Sequence, residues 1–228
     1  MRILLPLIIL LTAGTASAQT THTVIVGPGS NSFSPSELTV QLGDTVVWDW
    51  QNGYHNVVSF HNVFNSGGAT TPPNSFTVVF DQALLNSAAG MGLAGTSFDY
   101  YCGPHLASGM VGNITVQLPG RPLLEVSNLA AGSVASVTVS NLTPGKPAGL
   151  AYSLTGQGPT DVFTGTCGLV STDLSAPITI ATIENADAAG TISFNANVPA
   201  ATVGVFVYLQ AMDLGTCKLS NSGAWRIH

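Results

Sequence analysis

A cysteine, a histidine and a methionine lie close together in one segment of the chain. Two residues separate Cys102 from His105, and four more separate His105 from Met110. A thiolate, an imidazole and a thioether are soft or borderline ligands, and with a second imidazole they form the His2Cys site with a weak axial Met used for copper electron transfer. His55, from a distant part of the chain, supplies the second imidazole. We therefore predict that these four residues hold one copper ion.

Each of these residues also has a structural interpretation when it is taken alone. A lone cysteine is more often a buried thiol, and a lone Met110 would more often pack in a core. The combined spacing favours metal binding over both interpretations. His22 and His61 fall outside the ligand pattern, so we expect them at surface or turn positions. We expect Trp48 and Trp50 to be core residues of a strand.

Four segments resemble the blue (type 1) copper proteins, or cupredoxins, and most closely their plastocyanin-like members. These segments are Asn31–Pro35, Leu42–Val46, His55–Val58 and the loop Cys102–Val116. The resemblance covers roughly residues 21–118, which is less than half of the chain. Pseudoazurins share the loop spacing, so the resemblance indicates a class of protein and does not imply photosynthesis. The stretch 81–95 looks longer than the family's usual connection before the cysteine strand.

The resemblance implies a role for each residue of the predicted site. His55, Cys102, His105 and Met110 match the family's four ligand positions. Asn56 matches the residue that ties the two ligand loops together. The resemblance therefore implies one type 1 copper ion with a supporting hydrogen-bond network around it.

The resemblance also implies where electrons would leave the site. It puts the edge of His105 near the surface, in an apolar patch formed here by Pro104, Leu106 and Ala107. Residues 19–120 contain five acidic side chains and no Lys or Arg. Docking of a redox partner would then be mainly apolar, with weak acidic steering.

The elements that must position these residues read as strands. Apolar residues recur at every second position, as in Val46, Trp48 and Trp50, and this period is typical of strands. The 25 Gly and 13 Pro favour short strands joined by turns. No amphipathic helix is expected, although residues 82–93 could hold one irregular turn. The sequence thus predicts an all-β protein.

A turn-rich stretch at residues 119–122 divides the predicted strands into two groups. We predict two β-sandwich domains: a plastocyanin-like Greek-key sandwich over residues 19–118, as the resemblance implies, and a second domain over residues 123–228. The second domain has seven short predicted strands, which is the rhythm of an immunoglobulin-like sandwich. This signal is architectural and says nothing about the role of that domain.

The first eighteen residues have the order of a secretory signal peptide. Arg2 is followed by the apolar run Ile3–Leu11 and then by small residues that end in Ala18. We expect cleavage after Ala18. The apolar run is too short to span a bilayer, and no later segment has the roughly 18 uninterrupted apolar residues of a membrane helix, so no membrane insertion is expected after cleavage. The mature chain would be secreted or periplasmic, in an oxidising compartment.

Three cysteines in an exported chain mean that at least one does not pair internally. Cys167 and Cys217 each follow a Gly-Thr pair, and we predict that they form a disulfide. Closing this loop of about 50 residues would stabilise the second domain by about 4 kcal/mol in the chain-entropy model. Cys102 must stay reduced to bind copper, so this pairing also explains the odd count.

Charge and ligand set together define the predicted function. The formal net charge of -6 lacks the basic footprint that nucleic-acid binding needs. The four ligands leave no open position for a substrate, so the protein is not expected to be an enzyme. We predict an exported carrier of single electrons between redox protein partners, cycling between Cu(I) and Cu(II). Two alternatives stay open: a structural or adhesion protein in which the cupredoxin domain is a binding module, and a copper-delivery protein.

Overall fold

The computed structural model describes residues 19–93 and 95–228. The predicted signal peptide, residues 1–18, lies outside the described residues. In the described part of the chain, no helix is both long and apolar enough to cross a membrane.

Strands dominate the first half of the chain, residues 19–118. The elements are β1 (Thr21–Val26), β2 (Phe33–Ser34), β3 (Glu37–Gln41), β4 (Thr45–Trp50), β5 (Val58–Ser59), β6 (Ser75–Val79), α1 (Gln82–Gly90), β7 (Ser97–Tyr101) and β8 (Val111–Gln117). One sheet has the order β2-β1-β4-β6, and in a second sheet β7, β8 and β3 are neighbours, with β5 beside β7. Inward residues of these strands form one core, in which Trp48 is fully buried and Trp50 nearly so, as predicted.

The stretch between β6 and β7 contains a helix of nine residues, more regular than the single turn expected there. Asp81 precedes α1, and its side chain accepts a hydrogen bond from the Leu84 amide at 2.9 Å. An aspartate in this position satisfies one of the amides that have no partner within the helix. The buried residues Leu85 and Ala88 then attach α1 to the core.

The second half, residues 119–228, is also built from strands. The elements are β9 (Leu123–Ser127), β10 (Val134–Ser140), β11 (Pro147–Ser153), β12 (Gln157–Thr164), β13 (Gly168–Leu174), β14 (Thr179–Asn185), β15 (Ile192–Asn197), β16 (Phe206–Asp213) and β17 (Lys218–Arg226). A sheet ordered β15-β10-β9 packs against β11, β16 and β17 across an apolar core. The protein is therefore all-β, as the sequence predicted.

Two strands of the second half were not predicted from the sequence. β12 and β13 form a separate antiparallel hairpin, whereas the sequence pattern placed seven strands elsewhere in this half. The hairpin buries few large apolar residues, and its outward side chains include Asp161 and Ser171. Phe163 and Leu169 also point outward, 76% and 68% exposed, so apolar and polar residues do not alternate cleanly along the hairpin. A disulfide between Cys167, at the hairpin turn, and Cys217 ties the hairpin to the β16–β17 connection, with a Cα–Cα distance of 5.5 Å.

The two halves share one sheet. β17 pairs in parallel with β7, with Gly223 opposite Ser97 and Ala224 opposite Phe98. This close approach depends on glycine, since a Cβ on Gly223 would lie 2.4 Å from Ser97 Cβ. A Cβ on Gly95 would likewise lie 2.4 Å from the Ser222 carbonyl oxygen. The result is a continuous sheet of strands in the order β14-β11-β16-β17-β7-β8-β3.

The buried side chain of Asp99 adds a further contact between the two halves, next to the paired residues of β7 and β17. Asp99 Oδ2 accepts a hydrogen bond from the Arg226 amide at 2.6 Å, and Oδ1 accepts one from Asn113 Nδ2 at 2.7 Å. Burial raises the pKa of Asp99 to about 7, although these two hydrogen bonds act in the opposite direction. The nearby carboxylate of Glu37 raises it further. The carboxyl group is therefore held in the protonated form over much of the acidic range.

We expect Asp99 to make the free energy of unfolding decrease as pH rises from about 4 to about 7. Its folded pKa lies above the unfolded value of about 3.9, so the native state binds the proton more tightly than the unfolded state does. This contribution is complete below pH about 4 and is lost as pH rises through about 7. It amounts to at most about 4 kcal/mol. Urea titrations between these pH values would measure it.

The matched variants for this measurement are Asp99→Asn and Asp161→Asn. Asp99→Asn should flatten the slope of stability against pH, because the titrating group is gone. Asp161 is exposed on β12, so Asp161→Asn should retain the wild-type slope. An unchanged slope in Asp99→Asn would contradict the assignment.

Candidate metal centre

The strand β7 and the turn that follows it position three of the predicted ligands. Cys102 comes directly after β7, a short 3-10 helix spans Gly103–Ser108, and Met110 directly precedes β8. The Cys102 amide donates to the Met110 carbonyl, and the Met110 amide donates to the His105 carbonyl, both at 3.1 Å. The loop is thus closed on itself by backbone hydrogen bonds.

His55 reaches the same place from a separate loop. Its amide donates to the Thr70 carbonyl at 2.9 Å, and its own carbonyl accepts from the Thr70 amide at 2.8 Å. The carbonyl also accepts a hydrogen bond from the Trp50 indole at 3.0 Å. Trp50 was predicted only as a core residue, so this positioning contact was missed.

Two glycines lie close against the His55 ring. A Cβ on Gly53 would lie 2.3 Å from His55 Nε2, and one on Gly27 would lie 2.8 Å from it. The Asn52 carbonyl oxygen lies on the same side, 2.2 Å from the Cβ position of Gly27. These close contacts restrict the orientation of the ring. The sequence offered only the two glycines as a signal for this packing, and glycines by themselves predict turns.

Three predicted ligand atoms converge. His55 Nδ1 lies 3.5 Å from Cys102 Sγ, His105 Nδ1 lies 3.4 Å from it, and the two Nδ1 atoms are 3.1 Å apart. In the described part of the chain, His55, Cys102 and His105 form the group of His, Cys and acidic residues whose ligand atoms lie close enough to share one metal ion. Two imidazoles and a thiol, with no carboxylate among them, suit copper far better than the oxygen-seeking cations. The donor set therefore fits copper.

Burial differs sharply among the four predicted ligands. His55 and Met110 are each 1% exposed and Cys102 is 0% exposed, whereas His105 is half-buried. Met110 belongs to the same buried cluster as Cys102. Of the four predicted ligands, His105 is thus the one that is partly exposed to solvent.

Burial also sets the protonation of the site. Burial lowers the pKa of His55, and the neighbouring His105 lowers it further, which keeps the imidazole neutral with a lone pair available. Burial raises the pKa of the Cys102 thiol, although the backbone N–H groups of Asn56 and His105 act against this. A bound cation would supply the positive charge that favours the thiolate.

Asn56 connects the two loops that carry the ligands. Its Oδ1 accepts a hydrogen bond from the Gly103 amide at 2.7 Å, and its Nδ2 donates to the Gly67 carbonyl at 3.0 Å. Gly103 follows Cys102, and Asn56 follows His55. One side chain therefore fixes the distance between the two ligand segments.

The remaining histidines that the sequence analysis considered lie outside the convergent group. His22 Nε2 pairs with Asp44 Oδ2 at 2.8 Å. His61 lies in a turn, half-buried, with its ring 5.2 Å from that of Phe206 in the second half. Neither belongs to the metal-ligating group.

The part of the chain that contains the predicted ligands is similar in sequence to known proteins. Residues 20–117 match the family described as copper binding proteins, plastocyanin/azurin family. A plastocyanin of Scenedesmus fuscus is 33% identical over 108 residues, which are 42% of this chain and 98% of that protein.

Two further relatives are similar over a comparable share of the chain. A chloroplastic plastocyanin minor isoform of Arabidopsis thaliana is 35% identical over 95 residues, which are 39% of this chain. The chain spans about half of that protein, 53% of its length. The solved structure of oxidised plastocyanin from Dryopteris crassirhizoma aligns with a TM-score of 0.33 at 20% identity, covering 42% of this chain and all of that one.

We expect Asn56→Ala to weaken copper binding by roughly 10–100-fold, the usual cost of losing a residue that orients metal ligands. The substitution removes the contact between the two ligand loops but no ligand. Competition with a chelator of known affinity would measure the change. Asn86→Ala, at an exposed position of α1, is the matched control and should bind copper as the wild type does. Equal affinities in the two variants would refute the role of Asn56.

Proposed function

The chain belongs to the plastocyanin/azurin family of copper-binding proteins, and on this basis we propose that it carries single electrons between redox partners. The family match lies in residues 20–117. The observation that carries the proposal is the convergence of His55 Nδ1, Cys102 Sγ and His105 Nδ1 within 3.5 Å of one another. Because members of this family are electron carriers, the chain is not an enzyme.

Four residues would hold the metal. His55, Cys102 and His105 provide the two nitrogens and the sulfur, and Met110 provides the weak fourth ligand. When bound, copper supplies a one-electron couple between Cu(I) and Cu(II). The nearly complete burial of three of these side chains leaves no room for a substrate at the site.

The protein frame keeps the ligands in place without help from the metal. Backbone hydrogen bonds link Cys102, His105 and Met110, and Asn56 links their loop to that of His55. A site held by such a network needs little rearrangement when its charge changes. This property supports repeated gain and loss of an electron over delivery of the metal to an acceptor.

The His105 ring is the route between the site and a partner. It is half-buried, whereas His55 is almost fully buried. Pro104 and Ala107 beside it are exposed and Leu106 is half-buried, so an uncharged surface surrounds the ring. With no Lys or Arg in residues 19–120, a partner would dock mainly through apolar contact.

The proposal extends to export and domain organisation. Residues 1–18 act as a signal peptide, and the protein works outside the cytoplasm, in the periplasm or the surrounding medium. Residues 19–118 form the electron-transfer domain, residues 119–122 a linker, and residues 123–228 a second domain. The disulfide between Cys167 and Cys217 suits an oxidising compartment.

We expect the copper-loaded protein to show an intense absorption band in the red part of the visible spectrum. Charge transfer from a thiolate to Cu(II) produces such a band, so Cys102→Ala should abolish it. His61→Ala changes a histidine outside the site and should retain it. Absorption and paramagnetic-resonance spectra of the three proteins would measure this. A colourless wild-type protein that binds copper weakly would refute the proposal.

We also expect Ala107→Glu to slow electron self-exchange by about tenfold or more. Two copies that meet through this patch would bring like charges together, which costs at least about 1.4 kcal/mol. NMR line broadening in mixtures of the reduced and oxidised protein measures the exchange rate. Ala188→Glu, in an exposed turn of the second half, is the control for added charge alone. Equal rates in the two variants would place the electron route elsewhere.

A further inference from the structure

A cavity in the second half lies between the β12–β13 hairpin and the sheet formed by β14, β11, β16 and β17. Its volume is about 380 Å³. Well-packed interiors have few voids larger than a water molecule, and cavities that bind small molecules start at about 300 Å³. The volume of this cavity therefore falls within the range of small-molecule sites.

The cavity is lined almost entirely by apolar side chains. Val162 and Val170 face it from the hairpin, and Met212, Leu214 and Leu219 face it from the sheet side. No Asp, Glu, Lys, Arg or His is among the described residues that line it. A charged ligand group inside it would lose its hydration without gaining a partner, which is costly.

Most polar side chains of the lining already have partners within the protein. The Thr172 hydroxyl donates to the Thr160 carbonyl at 3.0 Å, and the Thr164 hydroxyl accepts from the Cys167 amide at 3.0 Å. The Gln210 side chain is hydrogen-bonded to Asp173 through both of its ends. The lining thus leaves little polar capacity for a ligand to satisfy.

The hairpin is attached to the rest of the second half at both of its ends. At its turn, the disulfide joins Cys167 to Cys217. At its other end, Asp173 accepts from Gln210 Nε2 at 2.8 Å and from Ser222 Oγ at 3.0 Å. Between these points, Val162 and Val170 pair with each other and stay half-buried. The hairpin is thus attached to the sheet on both sides of the cavity, and the space between the two apolar walls remains open.

Small residues of β11 make the floor of the cavity. Gly149 and Ala151 both line it, and a Cβ on Gly149 would meet only Ile183 Cγ1, at 3.8 Å. Larger side chains would fit on the backbone here and would fill the space. At the mouth, Phe163, Ile180 and Ile183 are 76%, 55% and 61% exposed, so apolar surface continues from the cavity to the solvent.

We propose that this cavity is a binding site for a neutral, largely hydrocarbon small molecule. Such a ligand matches the apolar lining, the satisfied polar groups and the absence of charge, and its entry covers the exposed apolar residues at the mouth. Apolar cavities bind apolar molecules in preference to water. The site is separate from the metal centre, and the proposal does not rest on electron transfer.

The test uses the uncharged fluorophore N-phenylnaphthylamine with the purified protein. We expect saturable binding to the wild type, seen as enhanced fluorescence, with displacement of the probe by decanol. Gly149→Leu places a side chain in the cavity and should weaken binding by about tenfold or more. Gly90→Leu adds the same side chain at the end of α1, where a Cβ meets nothing within 4 Å, and should bind as the wild type does.

A second substitution and a second measurement keep the test decisive if Gly149→Leu does not fold. Ala151→Leu fills the same floor with a smaller change and should weaken binding in the same way. Decanol should raise the thermal midpoint of the wild type but not that of Ala151→Leu. Equal probe binding by the wild type and a folded floor variant, or no binding by the wild type, would overturn the proposal.

Discussion

The pairing of β7 on both of its edges is the constraint on which the metal site depends. β8 pairs along one edge, and β5 and β17 share the other. Cys102 is the next residue after β7, so the sheet determines the direction in which its thiol points. The backbone hydrogen bonds that place His105 and Met110 begin at this residue. The position of the Cys102 backbone therefore depends on the pairing of β7.

The organisation of the site has a cost in the folded protein. Two imidazole nitrogens and a thiol face one another at 3.1–3.5 Å in a buried space, where ordinary packing would favour apolar groups. The position of His55 is restricted by its surroundings. Gly27 and Gly53 leave space for its ring, and Trp50 donates a hydrogen bond to its carbonyl. Such local conflict with packing is typical of residues retained for function.

The sequence predicted the structure correctly where the spacing of metal ligands or a regular apolar period could be read from neighbouring residues. The spacing of Cys102, His105 and Met110 predicted one loop, and alternation around Trp48 predicted a buried strand, which the structure contains. It failed where structure depends on distant partners. The pairing of β17 with β7 requires space at Gly223 and Gly95, and a glycine carries no periodic signal. The β12–β13 hairpin was missed because its outward residues mix apolar Phe163 and Leu169 with polar Asp161 and Ser171, which breaks the alternation typical of a strand.

The position of β17 in the chain has a consequence for assembly. The strand that covers part of the β7 edge comes from residues 218–226, more than a hundred residues after the metal loop in the sequence. Until those residues have been synthesised, part of the edge of the strand that leads to Cys102 has no partner. An unpaired edge is a site at which other strands can add. The second half of the protein thus covers part of the first half's sheet, and it can do so only after residues 218–226 have been made.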